Sequence, residues 1–164
     1  MSFDGLLWGY NNIRETLMQQ TNQRQIELLL AKYSESHLHP TNELIHFVCV
    51  PVIVLSFLGL IWAVHPMAAL AVTVISLIYY TTLSVPFAVG MLGMSGTMLW
   101  ILTQLPQHLM WQISLGIFVV AWIGQFIGHK IEGKKPSFFD DLRYLLIGPL
   151  FVLSFLYRRL HIAY

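Results

Sequence analysis

The chain has 164 residues, of which 56% are hydrophobic and 10% charged, with a mean hydropathy of +0.64; an ordinary soluble domain carries about 25% charged residues. A formal net charge of +1 with scattered basic residues provides no field for a polyanion and argues against nucleic-acid binding, while a single cysteine, Cys49, excludes an internal disulfide framework. Every charged side chain lies in 1–43 or 130–164, so positions 44–129 hold no Asp, Glu, Lys or Arg, and since a charge at the bilayer centre costs about 2.5–3.5 kcal/mol, that exclusion is the signature of lipid as solvent.

The first 15 positions carry Asp4 and lack the apolar run of a cleaved signal peptide. Positions 12–33 are polar and helix-favouring, and Ile13, Leu17, Ile26, Leu29 and Leu30 form a partial apolar stripe, which predicts a helix lying on the membrane surface or on the bundle. Positions 1–27 read as a polar extension and 28–164 as the membrane domain. About 20 apolar residues cross a hydrocarbon core of about 30 Å; 44–64 makes one crossing, with Asn42 as its N-cap or as a hydrogen-bond donor in a site, and stops at His65-Pro66. Positions 67–105 hold two further helices, with the turn at Ser84-Val85-Pro86. After the break at Leu105-Pro106-Gln107, a fourth helix runs from 108 to about 131 and is stopped by Gly133, Lys134, Lys135 and Pro136.

The last hydrophobic segment, 138–160, is divided by Gly148-Pro149 and flanked on both sides by basic residues. A full crossing puts one basic cluster on the wrong side. A re-entrant or interfacial hairpin bent at Gly148-Pro149 avoids this, and a fifth crossing is the alternative. The fold class is therefore all-α: a multipass bundle of four transmembrane helices, with an N-terminal surface helix and a C-terminal re-entrant or fifth hydrophobic helix.

An even number of crossings returns the chain to the face it left, and the positive charges assign that face to the cytoplasm. His37, His39, His46 and His129 then lie at one face, and His65 and His108 at the other. Imidazole at membrane depth is costly unless it is paired or bound. His129 and Glu132, three residues apart, share a helix face, and helix parity brings them to the interface that carries His37 and His46. Three imidazoles and a carboxylate suit Fe(II), Mn(II) or Zn(II). Cys49 reads as a small buried hydrophobe, with a place lining the site, on the helix face of His46, as the alternative. Gly90, Gly93 and Gly96 read as close-packing positions, Met91, Met94 and Met98 as core or lipid-facing filler, and Trp62, Trp111 and Tyr157 as interfacial anchors.

Two motifs, Tyr33-x3-His37-x-x-Pro40-x-Asn42-x3-His46-x2-Cys49-Val50-Pro51 and Phe126-Ile127-Gly128-His129-x2-Glu132-Gly133-x2-Pro136, stand in order around the hydrophobic helices. On these residues the chain resembles, over about 28–160, a family of small multipass proteins long catalogued as a domain of unknown function, whose studied fungal member is an Fe(II)-dependent 2-hydroxy-fatty-acid dioxygenase. The resemblance implies Fe(II) as cofactor and His37, His46 and His129 as its ligands. It also implies O2 and a long-chain 2-hydroxy fatty acid as substrates, the latter losing one carbon by α-oxidation. His39 is outside the motif. Glu132 and Asn42 are the candidate catalytic residues beside the metal, and Lys130, Lys134, Lys135 and Arg143 either attract a substrate carboxylate or form a solvated positive-inside cluster.

Two other function classes share these residues: a metal-dependent lipid hydrolase or hydroxylase, and a non-enzymatic membrane scaffold whose histidines serve helix packing. Turnover without oxygen marks the hydrolase, and histidines separated by more than a coordination distance mark the scaffold. The expected partner in every case is the lipid bilayer. The expected location is the bacterial cytoplasmic membrane, with the endoplasmic reticulum as the alternative, because no eukaryotic retention signal is recognisable. Oligomeric state is left open.

Overall fold

Prolines set the start of nearly every helix. The structure, a computed structural model, describes residues 3–35, 37–133 and 145–164. Among the described residues there are helices and turns and no strand: α1 (Phe3–Ser34), α2 (Pro40–Val64), α3 (Pro66–Leu83), α4 (Val85–Gln104), a short 3-10 turn (Gln107–Leu109), α5 (Met110–Glu132) and α6 (Gly148–Arg159). α2, α3, α4 and α6 each carry proline at the first or second helical position, where its preset φ suits a helix start and its missing N–H leaves no bond unmade.

That rule moves the first expected boundary. α2 starts at Pro40, about a turn before the anticipated 44, with His39 as N-cap. Asn42 is therefore the third residue of the helix and not its cap. α5 is closed by Gly133 at φ 74, a left-handed position that favours glycine, whose N–H bonds back to His129 and Lys130 carbonyls. Lys134, Lys135, Pro136, Arg143 and the 138–144 arm of the last segment lie outside the described residues.

Four helices are long and apolar enough to cross a membrane: Pro40–Val64, Pro66–Leu83, Val85–Gln104 and Gln107–Glu132. Only 22–33% of their most apolar windows is buried inside the chain, so the remaining apolar faces require lipid as partner. α6 has 12 residues, about 18 Å of helix, too short to cross. Its start lies inside the bundle, where a Cβ on Gly148 would stand 3.0 Å from Val50 Cγ1. Its end is back at the surface, where Arg159 lines a groove with Pro40 and Glu43 from the first turn of α2. Among the described residues, α6 runs from inside the bundle out to that end, and Gly148-Pro149 stands at its helix start.

Three apolar clusters of described residues result, one of them, Ile53, Ala121 and Trp122, joining α2 to α5. The largest gathers Ile26, Leu30 and Tyr33 of α1, Tyr80 of α3, Phe87 of α4 and Leu150 of α6, among others, each buried large side chain contributing about 1.5–3 kcal/mol. Among the side chains described in α1, Ile26, Leu30 and Tyr33 near its C-terminal end are buried while Ile13 and Leu17 are exposed. The third cluster, Leu58, Met98, Leu102 and Met110, closes the opposite end. Gly90 meets the Tyr157 hydroxyl, whereas Gly93 and Gly96 have open space around them and pack against nothing described. Met91 and Met98 are core. Tyr157 is buried, its hydroxyl donating to the Pro86 carbonyl, and so is a strut between α6 and α4 instead of an interfacial anchor.

Candidate metal centre

The antiparallel pair α2 and α5 brings the two ends of the charge-free stretch together. Small groups let the helices approach: Gly124 lies against Cys49 Sγ, and a Cβ on Gly128 would collide with Asn42 Oδ1 and reach 3.4 Å from His46 Cε1. At this close approach stand His46 of α2 and His129 of α5, 1% and 4% exposed, joined by His37, 6% exposed, from the link after α1. One candidate ligand atom from each of the three lies within 4.8 Å of the others. Ring centroids are 4.1 Å apart for His37 and His46, 4.9 Å for His46 and His129, and 5.6 Å for His37 and His129.

Helix ends and turns orient two of the rings. α1 leaves its last carbonyls without helical donors, and the Tyr33 carbonyl is met by His37 Nδ1 at 2.7 Å. In the first two turns of the next helix the same four-residue relation recurs, with His46 Nδ1 at 2.9 Å from the Asn42 carbonyl. A carbonyl only accepts, so both rings carry their proton on Nδ1 and present Nε2 as the lone-pair nitrogen. That arrangement of a backbone-held Nδ1–H behind a ligating Nε2 is the usual outer-shell support of a metal-bound histidine. The Nε2 atoms of all three histidines are buried.

The donor set fits a divalent transition metal. An ion with metal–nitrogen bonds of about 2.1 Å would need its ligand atoms within about 4.2 Å of one another, so the three rings would hold it after a small closure. Tyr33 stacks on His37 with centroids 4.3 Å apart and planes 12° apart, and Phe151 of α6 stands 5.9 Å from the same ring. Together they wall His37 into position.

Glu132 is placed beside this cluster and engaged elsewhere. Its Oε1 accepts from the Leu38 N–H at 3.0 Å, and its Oε2 accepts from the His39 N–H at 2.9 Å and from Asn42 Nδ2 at 3.0 Å. The carboxylate thus caps the N-terminus of α2 from another helix, where the helix dipole favours negative charge. Asn42, fully buried, connects the parts: side chain to Glu132, carbonyl to His46, Oδ1 facing Gly128. His39 is exposed and caps α2, its Nδ1 accepting from the Thr41 N–H at 3.2 Å; it does not join the cluster. Cys49 stays a half-buried packing group against Gly124. Sequence reasoning gave no role to Tyr33, whose place four residues before His37 is the one signal available, nor to Phe151, for which there is none.

Positions 23–160 match the family model described as Mpo1-like, 2-hydroxy-palmitic acid dioxygenase Mpo1-like. The chain is 32% identical over 140 residues to the 2-hydroxy-palmitic acid dioxygenase MPO1 of Saccharomyces cerevisiae, covering 79% of this chain and 78% of the yeast protein. No solved structure matches. With positions 23–160 matched and 79% of its length aligned to the yeast protein, the chain belongs to the Mpo1-like family.

Proposed function

We propose that this protein is a membrane-embedded, Fe(II)-dependent dioxygenase that shortens long-chain 2-hydroxy fatty acids by one carbon. The observation that carries the proposal is the buried triad His37, His46 and His129, with ligand atoms within 4.8 Å, at the end of a membrane bundle that belongs to this family. Iron, when bound there, supplies oxygen activation and a Lewis-acid anchor for a 2-hydroxy carboxylate. Three neutral imidazoles leave coordination positions open and leave the charge of the ion uncompensated, which favours an anionic chelating substrate.

The chain's own residues do the rest. The Tyr33 and Asn42 carbonyls hold the Nδ1–H groups of His37 and His46 and so aim both rings. Glu132 and Asn42 act as positioning residues, locking the entry of α2 against the end of α5. Tyr33, Phe151 and the burial of the triad limit water around the reacting carbons. The stoichiometry closes without an added reductant: one 2-hydroxy acid and one O2 give the acid one carbon shorter, CO2 and water. A site at the end of the bundle suits an amphiphile, whose chain stays among apolar helices while its head reaches the metal.

The proposed orientation turns the triad to the cytoplasm, because Lys130, Arg158 and Arg159 lie at that end. The proposed membrane is the bacterial cytoplasmic membrane, with the endoplasmic reticulum as the alternative. Incubating iron-loaded protein with 2-hydroxypalmitate in air is expected to yield pentadecanoate by mass spectrometry. No product from any 2-hydroxy acid sinks the substrate assignment; parent-level iron in His46→Ala and His129→Ala proteins sinks the metal assignment.

A further inference from the structure

Gln125 is a buried polar side chain that the triad does not account for. It lies one turn before His129 on α5, on the same helix face, and is 3% exposed. Among the described residues, its buried Oε1 has no hydrogen-bond partner. An acceptor sealed from water without a donor costs about 1–3 kcal/mol, so this position calls for a donor that the described residues do not supply.

The surroundings indicate which donor. Gln125 lines a small chamber with Tyr33, Val50, Ile53, Trp122, Leu145 and Gly148. Tyr33 stacks on His37 and Val50 stands one turn below His46, so the chamber is the layer directly beneath the triad. Leu145 also lines a second cavity, between α2, α3 and α4, whose inner wall includes Leu58, Thr73 and Ser95. Three of the four hydroxyls there are engaged within the chain: Thr73 Oγ1 donates to the Ala69 carbonyl at 2.9 Å, Ser95 Oγ to Met91 at 2.6 Å and Tyr80 Oη to Leu146 at 2.9 Å, with Ser76 the fourth. That cavity therefore offers a ligand apolar walls. On α2 it is lined by Val54, Phe57 and Leu58, about two to three turns below His46.

We propose that Gln125 recognises the 2-hydroxyl of the substrate, accepting its hydrogen bond at Oε1 beneath the three histidines, while the acyl chain passes Leu145 into the cavity between α2, α3 and α4. This rests on a 2-hydroxy acid being the substrate. A water satisfies Gln125 when no substrate is bound, and only a group that replaces its hydrogen bond displaces it without loss. A plain fatty acid has no such group.

The test is equilibrium binding to nanodisc-reconstituted, iron-loaded protein under argon, where no turnover occurs, with 2-hydroxypalmitate and palmitate as probes. Gln125→Leu is expected to weaken 2-hydroxypalmitate about tenfold and leave palmitate within about twofold, the size of one lost hydrogen bond, with iron content unchanged and Gln125→Glu, which keeps an acceptor, retaining the preference. Equal loss for both ligands, or no change for either, overturns the assignment. Should Gln125→Leu not fold, 2-methoxypalmitate on the parent decides: it lacks the donor hydrogen, and binding as tight as that of 2-hydroxypalmitate overturns the proposal. Ser95→Phe, which fills the inner cavity, is expected to shift preference toward 2-hydroxylaurate, and an unchanged ratio of the two chain lengths overturns the acyl path. Because binding is read without turnover, a Gln125-dependent preference without any shortened product refutes the dioxygenase activity alone, and turnover without that preference refutes the recognition alone.

Discussion

The two ends of the bundle both carry histidines and use them in opposite ways. At the far end, His65 is exposed, and its Nδ1 accepts from the Met67 N–H at 3.2 Å, capping α3. His108 is exposed in the 3-10 turn. The packing there is a small apolar cluster, with Trp62 Nε1 donating to Gln107 Oε1 at 2.9 Å beside it. At the near end, His37 and His46 are buried and their Nδ1 atoms donate to carbonyls. A ring whose Nδ1 accepts serves as a cap; a ring whose Nδ1 donates has Nε2 as its lone-pair nitrogen. Burial and the direction of one hydrogen bond, more than the presence of imidazole, separate the two ends.

The largest expected effect breaks the near end alone. His46→Ala or His129→Ala should lower iron affinity and turnover by more than about 100-fold, exceeding the loss typical of an outer-shell change. His65→Ala and His108→Ala should leave both at parent values. Iron stoichiometry on purified protein decides this, and equal iron loss at the two ends would dissolve the distinction. Next comes the close approach that creates the site. Gly128→Ala drives a methyl into Asn42 and should destabilise by about 1–3 kcal/mol, as overpacking does, with iron lost in parallel. Gly96→Ala, with nothing within 4 Å, should be neutral or slightly stabilising through helix propensity.

A subtler effect concerns the bracing of α2. Glu132→Ala removes the acceptor of three hydrogen bonds and should weaken iron binding by about 10–100-fold while leaving the three ligands in place. Glu132→Gln keeps one amide oxygen and should fall between. If Glu132→Gln abolishes iron binding as completely as His46→Ala, the carboxylate is a ligand and not a brace.

Much of this was readable before any coordinates. The charge-free stretch implies four crossings, their even number brings 37–46 and 129–132 to one face with four histidines, and the family resemblance singles out three of them. What escaped is geometry within a single turn. Glu132 shares a face with His129, but spacing does not say whether a carboxylate at the last residue of a helix points inward or reaches over to the neighbouring loop, and three N–H donors at the entry to α2 draw it outward. Asn42 looked like a cap because the apolar run starts after it; Pro40 begins the helix earlier. Gly148-Pro149 fits both a bend and a helix start, and only the packing of α6 distinguishes them. The acceptor of Gln125 is conspicuous only once burial and partners are visible, since a lone glutamine near a helix end is ordinary in sequence.

The smallest expected effect is the sharpest test of the comparison, because it separates proximity from role. His39 is two residues from His37 and within the first motif, yet its exposed ring does what His65 does at the far end: Nδ1 accepts from the N–H two residues on, at 3.2 Å in both. Replacing either by alanine removes an N-cap acceptor, a loss of about 1 kcal/mol, or about 2–4 °C in unfolding temperature for a chain of this size. The backbone N–H of His39 that binds Glu132 is unaffected by the substitution, so the brace on α2 persists. His39→Ala and His65→Ala should therefore shift thermal unfolding by similar small amounts and leave iron content and turnover unchanged. Iron loss in His39→Ala alone would move that ring into the centre and make near-end membership, not hydrogen-bond direction, the property that selects a ligand.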